Sequence, residues 1–341
     1  MTYQFPLFRL PYVAYRNVLD HVGPQILFTI SLCSANSRFI IKSYNGPSKS
    51  YELVMDFGFS DSVICRNGRK FFFLIRIKET PSNRNEEPQE TVEIGNFTIP
   101  VYFNLLPENC LISYWTDRIV GLTELGNYVR EIFKRDISRL NLGRQVREDD
   151  HKRAVDWINS HQKSIGFIYC NLKSDHHSNF DYCLKSFRAT KQVFFLCRPD
   201  NPSINSNWNL KCCEVEDFYI DSSSWVNRKM LLRLNSKRIT LVGSQLTSND
   251  INAFLHQWSN GQCSRLKEFH IILKTGQFDF QTALEGLQHV EMDLHEVTEV
   301  FDYHNKSHSF HSGVHLKRRL DGVKATIHNM NNTKRFWLIF H

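Results

Sequence analysis

Phe5-Pro6-Leu7-Phe8-Arg9-Leu10-Pro11 opens a stretch, running to about residue 45, whose reading decides how the rest of the chain is understood. Proline lacks a backbone donor and restricts the residue before it, so Leu10-Pro11 stops any preceding helix and suits the first turn of a new one near Tyr12. Val13, Val18, Leu19 and Val22 recur at near-helical spacing, and Gly23-Pro24 ends that helix and lets another begin. Leu27, Ile30 and Leu32 line the second segment. Ser34 is placed to cap a third, which carries Phe39, Ile40 and Ile41. About forty residues in three short helices lie near the limit below which a chain needs association to fold. Covering Leu10, Val18, Leu19, Leu27 and Ile30 gains roughly 1.5–3 kcal/mol per side chain. Two readings follow from periodicity: the helices present a partner surface, or they form a subdomain packed on their own chain.

Beyond this unit, 341 residues leave room for one large or two medium domains. A hydrophobic content of 41%, with 13% aromatic, is too apolar for a disordered chain, so a sizeable core is expected. No apolar run approaches the roughly 18–20 residues that span a bilayer, and Met1-Thr2-Tyr3-Gln4 lacks a signal-peptide start. Cytoplasmic or nuclear residence is the expectation. The nine cysteines include no Cys-x-x-Cys pair, and Cys212-Cys213 are adjacent, so they read as reduced, mostly buried small residues. A net charge of +7 is spread along the chain, with clusters at Lys317-Arg318-Arg319 and Lys334-Arg335. Aromatics near those clusters allow phosphate contacts, and solvated faces explain them as well.

Asn45 to Ser50 carries turn residues and reads as a linker. Tyr51–Met55 and Lys70–Ile77 are aromatic and β-branched, with Asn67-Gly68 between them as a hairpin signal. The polar stretch 79–91 is expected to be a loop before a strand over 92–103. Leu122, Leu125, Val129, Ile132 and Phe133 predict a helix over 123–140. The charged run 143–153 is the expected domain boundary.

The second half repeats a pattern. Ile165-Gly-Phe167-Ile-Tyr-Cys170-Asn-Leu172 and Ile239-Thr-Leu241-Val-Gly-Ser244-Gln-Leu246 fit the leucine-rich-repeat core, in which a small polar residue bonds to backbone as the chain turns. Degenerate copies follow at Val193–Leu196 and Phe269–Leu273. Thr247 and Asp250 form a capping box ahead of a stripe at Ile251, Phe254, Leu255 and Trp258, closed by Gly261. Strand, helix, strand at this spacing predicts parallel strands joined by crossovers, as a repeat or as an ordinary βαβ unit. Asp321-Gly322 predicts a hairpin, and residues 336–340 a last strand.

Chemistry is sparse. His304, His308, His311 and His315 would share a face on a helix and suit zinc, yet interspersed Ser, Asn and Gly favour a loop. Cys183 follows His176-His177, but it falls on an apolar side with Phe180, Leu184 and Phe187, as a core cysteine does. Phosphate-loop, dinucleotide and nucleophile-elbow patterns are absent from the sequence, so no cofactor and no catalytic centre is expected. Trp225, in the polar run 221–227, is a candidate substrate anchor. Trp258 belongs to the buried stripe.

Leu10-Pro11, Val18-Leu19, Val22-Gly23-Pro24, Leu27-Phe28 and Ser31-Leu32-Cys33-Ser34 resemble an F-box, in the Phe-Pro-Leu form of the expanded nematode families. Two departures stand out: no acidic residue follows Leu-Pro closely, and Ser37 and Phe39 stand where a tryptophan is usual. Val155-Asp156-Trp157-Ile158-Asn159-Ser160, Ser244–Asn252 and Trp258 resemble the type 2 F-box-associated domain from about 154 to 274, and Leu316–Ile327 resembles its C-terminal hairpin. The resemblance implies an F-box at 5–45 and an F-box-associated α/β domain at 154–341; with the strand-rich segment ending in a helix that residue patterns give at 51–141, the expected fold is mixed α/β. The resemblance further implies a non-catalytic substrate-recognition subunit of an SCF-type cullin ubiquitin ligase. The Skp adaptor, and through it cullin and RING subunits, would meet Leu10, Pro11, Val18, Leu19, Val22, Pro24, Leu27 and Ile30, leaving the α/β region for a protein target. The alternative is a scaffold or nucleic-acid-binding protein whose N-terminal helices are structural.

Overall fold

Proline, glycine and serine divide the N-terminal stretch into α1 (Tyr12–His21), α2 (Pro24–Leu32) and α3 (Ala35–Ser43). The Pro11 carbonyl accepts from the amides of Ala14 and Tyr15, Pro24 occupies the first turn of α2, and Ser34 Oγ accepts from the Ser37 amide at 3.0 Å. These boundaries follow from local chemistry alone. The computed structural model describes residues 6–79, 90–104, 110–144, 147, 149–172, 177–196, 214–293, 297–301, 307–328 and 334–340. They fall into two compact units, Met1–Ile168 and Tyr169–His341. The 143–153 run, expected as the boundary, lies inside the first.

In the first unit the helices are followed by β1 (Glu52–Phe57), β2 (Ser62–Asn67), β3 (Lys70–Glu79), β4 (Glu90–Ile94), β5 (Phe97–Asn104) and β6 (Cys110–Trp115). Asn67-Gly68 makes a hairpin as expected, but it joins β3 to β2, an additional strand. The single strand expected over 92–103 is a second hairpin, because Gly95 at φ +59 takes the left-handed conformation that reverses the chain. The 79–91 loop lies almost wholly outside the described residues.

The next helix, α4 (Arg118–Phe133), begins earlier than apolar periodicity indicates. Asp117 caps it, accepting from the amides of Ile119 and Val120 at 2.8 and 3.1 Å. It ends where Lys134 turns left-handed, so Ile137–Leu142 is a strand, β7, instead of the helix's last turns. Strand order in this unit is β7-β1-β2-β3-β6-β5-β4, parallel at β7/β1 and β3/β6 and antiparallel elsewhere. Leu122, Leu125, Val129, Ile132 and Phe133 of α4 are buried as their spacing predicts, and α2 and α5 (Asp150–His161) pack beside it. Gly126 lets Trp157 of α5 approach, since a Cβ there would lie 2.4 Å from the indole.

β8 (Ile165–Cys170) carries the chain to the second unit, which continues with α6 (His177–Ser186), β9 (Ala189–Phe195), β10 (Asp217–Ile220), α7 (Arg228–Leu231), β11 (Arg238–Ser244), α8 (Ser248–Ser259), β12 (Glu268–Leu273) and α9 (Phe280–Leu284). Its remaining strands are β13 (His289–Glu291), β14 (Thr298–Phe301), β15 (Ser307–Phe310), β16 (Gly313–Lys317), β17 (Lys324–His328) and β18 (Arg335–Phe340). Strands β9, β10, β11 and β12 are parallel neighbours in that order. β10, which has no counterpart in the sequence pattern, separates the two repeat-like copies. The antiparallel run β12-β18-β17-β16-β13 completes the sheet of this unit, and the Asp321-Gly322 hairpin joins β16 to β17. The capping box of α8 forms in full, and Ile251, Phe254, Leu255 and Trp258 are all buried. Ser244 Oγ accepts from the Leu246 amide at 3.1 Å, the backbone bond expected of the small polar position.

Among the described residues no helix is long and apolar enough to cross a membrane.

Candidate functional site

Two surfaces are candidates for partners, one in each unit. In the first, α2 and α3 are keyed into the strand-rich segment. Leu19, Leu27, Phe28 and Ile41 have no solvent exposure. Phe28 meets the Tyr128 ring of α4 edge-on at 5.9 Å. The Tyr128 hydroxyl donates to the Ser31 carbonyl at 2.9 Å and lies 3.1 Å from Ser31 Oγ, which itself donates to the Phe28 carbonyl. Burial pushes the Tyr128 phenol up, against the favourable field of Ser31 and Arg38. Arg38 of α3 lies over the Tyr128 ring at 4.9 Å and donates to the Glu93 carbonyl, while Gln25 Nε2 donates to the Phe73 carbonyl at 2.9 Å. Tyr44 Oη donates to Asp20 Oδ1 at 2.7 Å, tying the end of α3 to α1.

This packing divides the residues expected to meet an adaptor. Leu19, Pro24 and Leu27 are buried, so they hold the helices to their own chain and are not contact groups. Leu10, Val22 and Ile30 are half-buried, and Pro11 and Val18 are exposed. Apolar spacing names a helix's inward stripe, and that stripe is already occupied here by α4, β3 and β4. The side chains left to solvent are others: Tyr12 (60% exposed), Val13 (75%), Ile26 (51%) and Phe39 (68%). Val13 and Phe39 are within the periodic pattern, but nothing in that pattern separates inner from outer apolar positions.

Lys49, just after α3, donates from Nζ to the carbonyls of Ile41 and Lys42. Burial, with a smaller contribution from Lys134, lowers its pKa to about 8.

In the second unit, register sorts side chains onto two faces. Val193, Phe218, Ile239 and Phe269 align across the four parallel strands, as do Phe195, Ile220, Leu241 and Ile271, and all are buried. Helices cover this side: Phe187, just after α6, meets Phe195, Phe254 of α8 meets Phe269 at 4.4 Å, and Phe280 of α9 meets Phe336. The other face carries two rows. Phe194, Tyr219, Thr240, His270, Trp337 and His328 form one. Within it Phe194 stacks on Tyr219 at 4.8 Å and His270 on Trp337 at 4.3 Å, and Phe310 of β15 lies on Trp337 and His328. Gln192, Asp217, Arg238, Glu268, Ile339, Thr326, His315 and Val290 form the second row. Its polar members are largely paired: Arg238 bridges both oxygens of Asp217, Glu268 accepts from Trp337 Nε1 at 3.0 Å, and His315 Nδ1 lies 2.9 Å from Thr326 Oγ1.

Trp225 is only 5% exposed, so the indole proposed as a substrate anchor belongs to the core instead. The polar run around it is itself partly buried: Ser223 has no solvent exposure, and its Oγ donates to the Val242 carbonyl at 2.8 Å. Cys183 is fully buried, as its apolar neighbours predict. His315 lies on β16 and His311 precedes that strand, so those two do not share a helical face; His304 and the His308 side chain lie outside the described residues, as do His176, Cys212 and Cys213.

Comparison with known families gives two matches. Residues 7–49 match the F-box domain, and residues 206–271 match the family described as F-box associated, of type 2, a pairing typical of nematode F-box proteins. No curated protein and no solved structure matches the chain.

Proposed function

We propose, from the pairing of an F-box with an F-box-associated domain in one chain, that this protein is a substrate-recognition subunit of an SCF-type cullin ubiquitin ligase. Residues 5–45 dock on the Skp adaptor and through it on cullin and RING subunits. The strand-rich segment 51–141 supports those helices, and the F-box-associated region 154–341 holds a protein target, in the cytoplasm or nucleus. Such a subunit accelerates ubiquitin transfer by holding a lysine near the charged conjugating enzyme, so it needs no catalytic group of its own.

The observation that carries this reading is that pairing, and Tyr12, Val13, Val18, Ile26 and Phe39 are the apolar side chains that α1–α3 leave exposed for a partner. Co-purification tests it. The full chain is expected to retain the Skp adaptor, and a Val13→Asp, Phe39→Asp double variant is expected to lose it while still unfolding cooperatively. An intact chain that fails to retain the adaptor would remove the ligase reading.

A further inference from the structure

At the corner of the second unit where β13, β16 and β17 meet, a cleft of about 730 Å³ is lined by Gln288, His289, Val290, His315, Leu316, Lys317 and Lys324. Among the described residues no acidic side chain lines it. Cross-strand register puts Lys317 directly opposite Lys324, on the face that also carries His315 and Val290. Like charges placed directly opposite on adjacent strands repel and destabilise the pair. Neither lysine has an ion-pair partner among the described residues.

The neighbouring arginine behaves differently. Arg318, the next residue, turns to the other side, is bridged by Asp321 through both of its carboxylate oxygens and lies over the Trp258 ring at 5.7 Å. The basic run 317–319 is therefore split. One cation is neutralised inside the fold, and Lys317 is held opposite Lys324, its stem against the Gly322 turn. Val290, 69% exposed, gives the same cleft an apolar wall.

We propose that this cleft takes an extended acidic peptide segment of a target protein, with carboxylates between Lys317 and Lys324 and an apolar side chain against Val290. This deepens the reading of the second unit as the target-holding part and rests on it. Charge complementarity selects the occupant: two facing ammonium groups are relieved by carboxylates, and the Val290 wall suits a peptide better than a fully polar polyanion. β13 is a short edge strand, which leaves room for an extended chain beside it.

The test uses the full chain and a short fluorescein-labelled peptide of alternating glutamate and leucine. Binding is expected, weakening as salt is raised, and the peptide with glutamine in place of glutamate is expected not to bind. Lys317→Gln with Lys324→Gln should weaken binding roughly tenfold. Lys324→Glu should abolish binding yet raise the unfolding temperature by about 1–3 °C, because it turns a repulsive cross-strand pair into an attractive one. A peptide that does not bind the wild-type chain, binds the lysine variants equally well, or binds with glutamine as tightly as with glutamate would overturn the proposal. Preferential capture of single-stranded RNA at the same lysines would overturn it in favour of a nucleic-acid site. Adaptor retention measured on the same preparations separates the two readings. Retained adaptor without peptide binding removes this site alone, and peptide binding without adaptor removes the ligase reading.

Discussion

The N-terminal helices and the sheet of the second unit both carry more apolar surface than their local elements can bury, and they dispose of it differently. The helices give their inner stripe, Leu19, Leu27, Phe28 and Ile41, to their own chain and keep a second apolar set outside. In the second unit, α6, α8 and α9 cover one face, and the other is largely occupied by stacked rings and paired polar groups. What stays uncovered is thus apolar side chains in the first region and charge in the second.

The largest effect should come from erasing the inner half of that contrast. Leu27→Asp buries a carboxylate with nothing to pair it and is expected to remove about 4 kcal/mol or more. Urea denaturation should show loss of cooperative folding, and adaptor retention should fall for that reason and not through a lost contact. Phe269→Ala is the counterpart in the second unit, where the ring sits between Phe254 and Phe336. It should cost about 3–5 kcal/mol in chemical denaturation while leaving the outer surface of α1–α3 intact.

Replacing the outer set has the opposite signature. Val13→Asp with Phe39→Asp should shift stability by no more than about 0.5 kcal/mol per site, yet weaken adaptor binding by about thirtyfold in a titration. Equal losses of stability for inner and outer substitutions would break the comparison.

Tyr128→Phe keeps the edge-on ring against Phe28 and removes the bonds to Ser31, so about 1–2 kcal/mol should be lost. That measures how firmly α2 is keyed to α4.

The smallest effect is in pH. Asp117 is partly desolvated, which raises its pKa, but the hydrogen bond from Arg153 and the amides of Val120 and Ile119 outweigh this and hold it below its usual 3.8. A carboxylate whose folded pKa is depressed contributes stability that is fully present above the unfolded value and lost as pH falls through the folded one. Acid unfolding below about pH 4 should therefore be shallower in Asp117→Asn.

Much of the fold was legible in the sequence where the signal is local. Pro11, Gly23-Pro24 and Ser34 set three helices, Thr247 and Asp250 set α8, and Asp321-Gly322 set a hairpin, because caps and turns are satisfied within a few residues. The end of α4 was not legible: Leu140 continues the apolar rhythm, but it faces the core from β7, and strand and helix patterns overlap over so short a run. Nor was β10 legible, since four residues next to a long polar stretch give no periodicity to read.

For the candidate site, sequence pattern marked α1–α3 as a region that matters and marked Trp225 without distinguishing an exposed indole from a buried one. Only the tertiary structure decided which apolar residues of α1–α3 face inward, because burial depends on α4 and β3, far along the chain, and not on spacing within the helices. Only cross-strand register set Lys317 against Lys324 and turned Arg318 away to Asp321. The sequence by itself determined where elements begin and turn, which is short-range chemistry; the exposed surfaces were decided by long-range packing, which determines what each element leaves uncovered.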